Sequence, residues 1–259
     1  MGDLSRRAIE ALERAHLVCC EDTRRTGGLL HQLGIKRPML VINEHTEHDN
    51  TTRVIEAVES GRSVVLVSDA GTPAVSDPGA RLVGAAVAAG VSISAVPGAS
   101  AVLAALVLSG LPTDRFVFEG FLPRKGAERA RRLADLVDER RTIVIYEAPH
   151  RLERTLADLT DAAGRERPVA VARELTKLHE EVWRGDLGGA LEAWAGKQAK
   201  GEFVLVVGGR PEPTAEVGDD ELRDALAGER EAGRSTRDAV SAVAERYAVA
   251  RNRVYRLAI

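Results

Sequence analysis

Apolar and polar positions alternate at two periods along the first hundred residues. SRRAIEALERA sets Ala8, Ile9, Leu12 and Ala15 on one face at helical spacing, with Ser5 as the N-cap, and predicts a helix. LVCC (17–20) is a short apolar run and predicts a buried strand. TRRTGGLLHQLGI predicts a helix closed near Gly34. MLVI (39–42), a polar helix at about 48–60, VVLVS (64–68), a helix at about 79–89, VSISAV (91–96) and the helix ASAVLAALVLSG continue the alternation. Short apolar strands between helices predict a parallel sheet covered on both faces.

After Pro112 the texture changes. FVFEGF (116–121), TIVIYE (142–147), PVAVARE (168–174) and EFVLVVGG (202–209) predict strands, separated by helices near 126–139, 149–163 and 187–195. This predicts a second α/β domain with a mixed sheet. RPEPTAEVGDD (210–220) has two prolines and no apolar period, and reads as a linker. ELRDALAGEREAG predicts a helix ending at Gly233. RDAVSAVAERY, AVA and RNRVYRLAI then predict a helix, a tight turn and a helix, with Ala239, Val240, Val243, Ala244, Val249, Val254, Tyr255 and Leu257 packed inward. The expected units are 1–112, 113–210 and 211–259.

Composition and charge refine this picture. The chain of 259 residues carries 36 Lys+Arg against 39 Asp+Glu, so it is no uniformly basic nucleic-acid coat. The charge is uneven, however. From Arg234 onward there are six Arg and no Lys, against Asp238 and Glu245. A basic helix pair on an acidic body fits a contact to phosphate, or a solvated tail used in dimerisation. Aromatic residues make up 3%, which argues against an RNA-binding platform of stacked rings. The adjacent Cys19 and Cys20 form no disulfide framework, and no apolar run approaches the roughly 20 residues of a membrane span. The charged, amphipathic N-terminal stretch is no signal peptide, so the expected compartment is the reducing cytoplasm.

Candidate chemistry clusters where strands are expected to end. SDAGTPAVSDPGARL (68–82) follows VVLV and packs small residues, two Asp, two Pro and two Gly ahead of a helix. In open α/β sheets that edge binds ligands. Gly71 allows backbone to approach a ligand closely, while Ser76 or Asp77 can instead simply cap the helix. VPGASAV (96–102) repeats strand, turn and small-residue helix start one unit later. Neither loop is GxGxxG, and there is no GxxxxGK[ST], so a nicotinamide dinucleotide and a P-loop are disfavoured. EDTRRT (21–26) offers Glu21, Asp22, Thr23 and Arg24, and NEHTEH (43–48) offers His45 and Glu47. YEAPHR (146–151) offers Glu147, His150 and Arg151, and ARELTK (172–177) offers Arg173, Glu174 and Lys177. Arg124, Lys125, Arg129, Arg131 and Arg132 stand against Glu128 and fit an RNA backbone or a solvated helix face. No strong zinc spacing occurs, and no metal is expected.

SDAGTPAVSDPG, PGASAV, EGFLPRKG, YEAPHR, ARELTK with HEEVWRG, and GEFVLVV occur in one order. Together they resemble the bacterial 16S ribosomal RNA 2′-O-ribose methyltransferases, a branch of the tetrapyrrole-methylase superfamily, over nearly the whole chain. The resemblance implies two α/β domains with a cleft between them, a helix-turn-helix-like C-terminal appendage and a homodimer. It implies transfer of a methyl group from S-adenosylmethionine to the 2′-hydroxyl of a decoding-centre cytidine in 16S rRNA of the small ribosomal subunit. By the same resemblance the cofactor contacts fall on Asp69, Ala70, Gly71, Thr72 and Ser76 and on the turn with Pro97, Gly98, Ser100 and Ala101. Glu21, Asp22, His45, Glu147 and Glu174 are the candidate proton acceptors for the hydroxyl. Arg24, Arg124, Lys125, His150, Arg151 and Lys177 are the candidate substrate contacts. The family opens with a further strand and a Pro-x-Gly loop before the stretch that reads GDLSRRA here, so a start upstream of Met1 is expected. Two other readings are a methylase of corrin or porphyrin precursors and a ligand-sensing helix-turn-helix regulator.

Overall fold

The computed structural model describes residues 2–211, 218–247 and 249–259. The chain divides into two compact units, 1–210 and 211–259. In the first unit β1 (Leu17–Cys20), β2 (Met39–Val41) and β3 (Val64–Val67) form a wholly parallel sheet A, in the order β2-β1-β3. Alternation along β1 sends Val18 to one face, packed with Leu12 of α1 (Arg6–Arg14) and Leu30 of α2 (Thr23–Gln32). It sends Cys19 to the other, packed with Val54 of α3 (Glu47–Glu59) and Leu82 of α4 (Ala80–Ala88). Burial pushes the Cys19 thiol up to about 12, so it behaves as a small core hydrophobe.

One expected strand is absent. Residues 91–96 form no strand, and among the described residues β3 pairs with β1 alone. A strand exists only by its ladder, and among the described residues no ladder joins this segment to β3. Ile93 and Val96 are accordingly exposed, as is Val87 on α4.

Sheet B holds β4 (Phe116–Phe121), β5 (Thr142–Glu147), β6 (Pro168–Arg173), β7 (Glu181–Asp186) and β8 (Phe203–Val207), in the order β4-β5-β8-β6-β7. β4 and β5 are parallel, and the β5–β8, β6–β8 and β6–β7 pairs are antiparallel. The sheet is mixed, as expected, and the sequence reading missed only its edge strand β7. One face packs Ile143, Ile145, Val169, Val171, Leu205 and Val207 against α6 (Gly126–Val137), α7 (Leu152–Ala163) and α8 (Leu187–Trp194). The other packs Val144, Ala170, Ala172, Val204 and Val206 against α5 (Ala101–Ser109). The helix α5 precedes sheet B in the chain and reads AVLAALVLS, apolar all round. It buries Val102, Ala105 and Leu106 and leaves Leu103 and Val107 exposed.

The second unit is a three-helix bundle of α9 (Asp219–Glu231), α10 (Thr236–Arg246) and α11 (Arg251–Ala258). Leu222, Leu226, Val240, Val243 and Val254 form its core. Helices α10 and α11 are the expected helix pair, and α9 closes the core over them. Among the described residues, three of the six arginines are ion-paired inside the bundle. Arg234 and Arg246 both meet the buried Glu229, and Arg253 meets Asp219. The 212–217 part of the expected linker lies outside the described residues.

Candidate functional site

All three strands of sheet A point the same way, so the loops after them meet at one edge. Glu21 and Asp22 follow β1, Asn43 and His45 follow β2, and Asp69 to Pro78 follow β3. These loops line a cleft of about 990 Å³. The cleft carries Glu21, Asp22, Glu44, Asp69 and Asp77 together with Arg24, His45 and Arg81.

Most of its polar groups are locked. Asp22 caps α2, accepting the Arg24 N–H at 2.8 Å and the Arg24 guanidinium at 2.6 Å. The guanidinium holds the Asp22 carboxyl down at about 2. Asn43 Oδ1 accepts the N–H groups of His45 and Thr46, an Asx turn that presents an exposed His45 at the rim. The buried Glu47 accepts the N–H groups of Gly79 at 3.1 Å and Leu82 at 3.0 Å, and so caps α4. Asp69 is the exception. Its Oδ2 lies 3.4 Å from Arg25 Nε, but its Oδ1 is buried and has no hydrogen-bond partner. A buried carboxylate oxygen without a donor is costly, and suits a ligand hydroxyl or amine.

The loop 68–79 also touches sheet B. A Cβ added at Gly120 of β4, where φ is +64°, would come within 2.8 Å of Ser76 Oγ. Asp77 bears on both sheets. Burial raises its carboxyl above the ordinary aspartate value, and the nearby Glu21, Asp69 and Glu202 push the same way against a hydrogen bond from Ser68. Burial likewise raises the Tyr146 hydroxyl, with the Asp77 charge adding to it. Neither Asp77 as a titrating group nor Tyr146 stood out in the sequence. Tyr146 follows from parity: it shares the α5 face of β5 with Val144, beside the Phe118 ring at 4.9 Å.

The same parity turns Glu147 the other way, onto the face covered by α6 and α7. Its side chain is fully buried. One oxygen accepts the Thr155 hydroxyl at 2.5 Å, and the other accepts the Ala148 N–H at 2.8 Å and pairs with Arg151 at 3.2 Å. Arg151 also donates to the Leu122 carbonyl at 2.5 Å. Arg129, itself buried, donates to the Pro123 carbonyl, Thr155 and Asp158. Glu147 and Arg151, expected as proton acceptor and substrate contact, are therefore consumed in an internal network. That network pins the two residues before Arg124 and Lys125, which are exposed, as is His150.

Glu174 accepts Lys177 Nζ at 2.9 Å and the Glu202 N–H at 2.9 Å, and these bonds lower its carboxyl. Lys177 also reaches Glu202 at 2.8 Å. Burial lowers the Lys177 amine, but the bonds to Glu202 and Glu174 outweigh it and the net shift is upward. Ala70, Gly71 and Thr72 lie exposed on the loop after β3, and Pro97 and Gly98 are exposed before α5. Ser100 caps α5 through the Leu103 N–H, with Ala101 the first helical residue. Backbone strain is concentrated as well. Among the described residues the non-glycine positions with positive φ are Ala74, Ser76, Glu174 and Thr176, two in the loop after β3 and two in the loop after β6. Such strain gathers where loops hold ligands.

The first of the two α/β layers carries an acidic cleft at its strand ends. The profile of the Tetrapyrrole (Corrin/Porphyrin) Methylases matches residues 1–191, and the chain belongs to that family. Within it, the chain is 44% identical over 260 residues to the ribosomal RNA small subunit methyltransferase I of Synechocystis sp., covering all of this chain and 93% of that one. It is 48% identical over 217 residues to the protein of the same name from Xylella fastidiosa, covering 83% and 80%. Among solved structures, diphthine synthase superposes with a TM-score of 0.60 at 17% identity, over 80% of this chain and 85% of that one. The uroporphyrin-III C-methyltransferase of Thermus thermophilus, solved with S-adenyl homocysteine, gives 0.55 at 19% identity, over 79% and 90%.

Proposed function

We propose that this chain transfers the methyl group of S-adenosylmethionine to the ribose 2′-hydroxyl of a cytidine in 16S rRNA of the small ribosomal subunit. The observation that carries the cofactor half is the buried, partnerless Asp69 Oδ1 at a cleft of about 990 Å³. The cleft lining fits the cofactor at Asp69, Ala74 and Ser76, and by the family resemblance Ala70, Gly71, Thr72, Ser100 and Ala101 would join them in holding it. When bound it supplies an activated methyl group on a cationic sulfur. The RNA half is supported by the relatives' name and by Arg124 and Lys125 standing exposed on a pinned loop.

The chain's own task is then alignment and proton removal. We assign the acceptor role to Asp77. Glu147 faces the wrong side of β5, Asp22 is held by Arg24, and Glu174 is held by Lys177. Asp77 lines the cleft, and its raised carboxyl makes it a stronger base than an exposed aspartate. Arg124 and Lys125 hold the phosphates that flank the target ribose. The resemblance that supports this reading also implies a homodimer working in the cytoplasm, and light scattering in solution checks the dimer.

The test is competition between acceptors. The protein is incubated with methyl-tritiated S-adenosylmethionine, small subunits from a strain lacking this gene, and a uroporphyrinogen-type tetrapyrrole. Label in the 16S rRNA is the expected result, and label in the tetrapyrrole alone would overturn the proposal.

A further inference from the structure

A second cavity opens on the α6–α8 face of sheet B, the face turned away from α5. It holds about 220 Å³ and is lined by Trp183, Trp194, Phe203, Arg173, Lys197 and Lys200, with Glu181 at one side. The whole chain has two tryptophans, and both are here. Their rings meet edge to face, with centroids 5.7 Å apart. Trp183 is seated against backbone, because a Cβ at Gly185 would come within 2.6 Å of its ring and one at Gly189 within 3.4 Å. Arg173 fixes the neighbouring loop by donating to the Lys200 carbonyl at 2.7 Å, and it pairs with Glu181 at 3.4 Å. Lys197 and Lys200 are exposed, and neither ammonium has a carboxylate partner among the described residues.

A purely apolar ligand gains nothing from two free ammoniums, and a free anion gains nothing from indole walls. A nucleotide uses both: its base lies on aromatic carbon and its phosphate on the lysines. The place fits the same ligand. Arg173 immediately precedes Glu174, and Phe203 immediately follows Glu202, so the cavity and the Glu174–Lys177–Glu202 ridge share one end of sheet B. Asp77 lies within electrostatic reach of Glu202. A nucleotide flanking a ribose held at the cleft would reach the cavity by passing round this end of sheet B, from the α5 face to the α6–α8 face.

We propose that this cavity is a subsite for a nucleotide flanking the methylated cytidine, its base against Trp183 and its phosphate on Lys197 and Lys200. The proposal rests on the RNA reading above. Because both tryptophans line the cavity, the protein's indole emission reports on it directly. A cytidine-containing single-stranded hexaribonucleotide is titrated into the full chain, and its binding is followed in parallel by the anisotropy of a dye on the RNA. The expected result is saturable quenching that tracks the anisotropy. Lys197→Glu with Lys200→Glu changes exposed positions only, and is expected to weaken binding about tenfold. Trp183→Phe is expected to weaken it about fivefold or more. With small subunits as substrate, both variants are expected to raise KM and leave kcat within about twofold of the unaltered protein. RNA that binds without changing the emission would overturn the subsite, as would charge-reversed protein that binds and methylates like the unaltered protein. If the unaltered protein transfers no methyl group to RNA, the functional reading falls, and quenching by the hexanucleotide still decides the subsite.

Discussion

The proposed function gives two aspartates of the cleft opposite duties, and their surroundings set them apart. Asp69 offers one buried oxygen with no donor, so its proposed role is to receive one from the cofactor. Asp69→Ala is expected to weaken S-adenosylmethionine binding roughly 10- to 100-fold, the worth of one hydrogen bond to a charged group, and calorimetry reads this directly. Burial raises the Asp77 carboxyl, and the nearby Glu21, Asp69 and Glu202 add to it. A base must be deprotonated to act, so methyl transfer should rise with pH through a midpoint above the ordinary aspartate value. Asp77→Asn should lower kcat by about 10²–10⁴-fold and abolish that acidic limb. A variant that keeps the limb would move the base elsewhere, with Glu21 next in line. The sequence made Asp69 legible, because it sits two residues past the apolar run VVLV at a predicted strand end. It hid the fate of Glu147. TIVIYE is apolar on both faces, so the run carries no phase to say which way its last residue points.

At the scale of elements, the Glu147 network turns a buried carboxylate into a mount for a basic loop. Thr155, Arg129 and Arg151 connect it to the carbonyls of Leu122 and Pro123. Glu147→Gln is expected to cost about 1–3 kcal/mol of stability, measured by denaturant unfolding. Below the melting transition its KM for small subunits should rise while kcat stays near that of the unaltered protein, because on the proposed reading the loop holds substrate and takes no proton. A selective loss of kcat would restore Glu147 as a catalytic group. Seven of the eight strands lie where apolar runs predicted them. The missed strand, β7, reads EVWRGD, an edge strand with one apolar flank and little to alternate. The segment 91–96 had the right composition, but pairing is a tertiary event and propensity alone does not supply a neighbour.

At the scale of the molecule, the chain carries two units with separate cores, and the composition of the second is its clearest sequence signal. The bundle spends Arg234, Arg246 and Arg253 on its own acids, so the apparent basic tail is weaker than its count of arginines. A protein ending at Arg210 should keep a cooperative unfolding transition and its affinity for S-adenosylmethionine. It should bind small subunits more weakly, with a shallower dependence on salt, since fewer phosphates are contacted. Equal affinity and salt slope would assign the bundle a role other than RNA contact.

The most direct measurement of the central claim uses alkali. Small subunits from a strain lacking this gene are labelled with methyl-tritiated S-adenosylmethionine and this protein, and the 16S rRNA is then hydrolysed. A 2′-O-methyl group removes the hydroxyl that alkali needs, so the label must emerge in a dinucleotide with a methylated cytidine at its 5′ position, from a single site. Label emerging in mononucleotides would mean methylation of a base and would contradict the account.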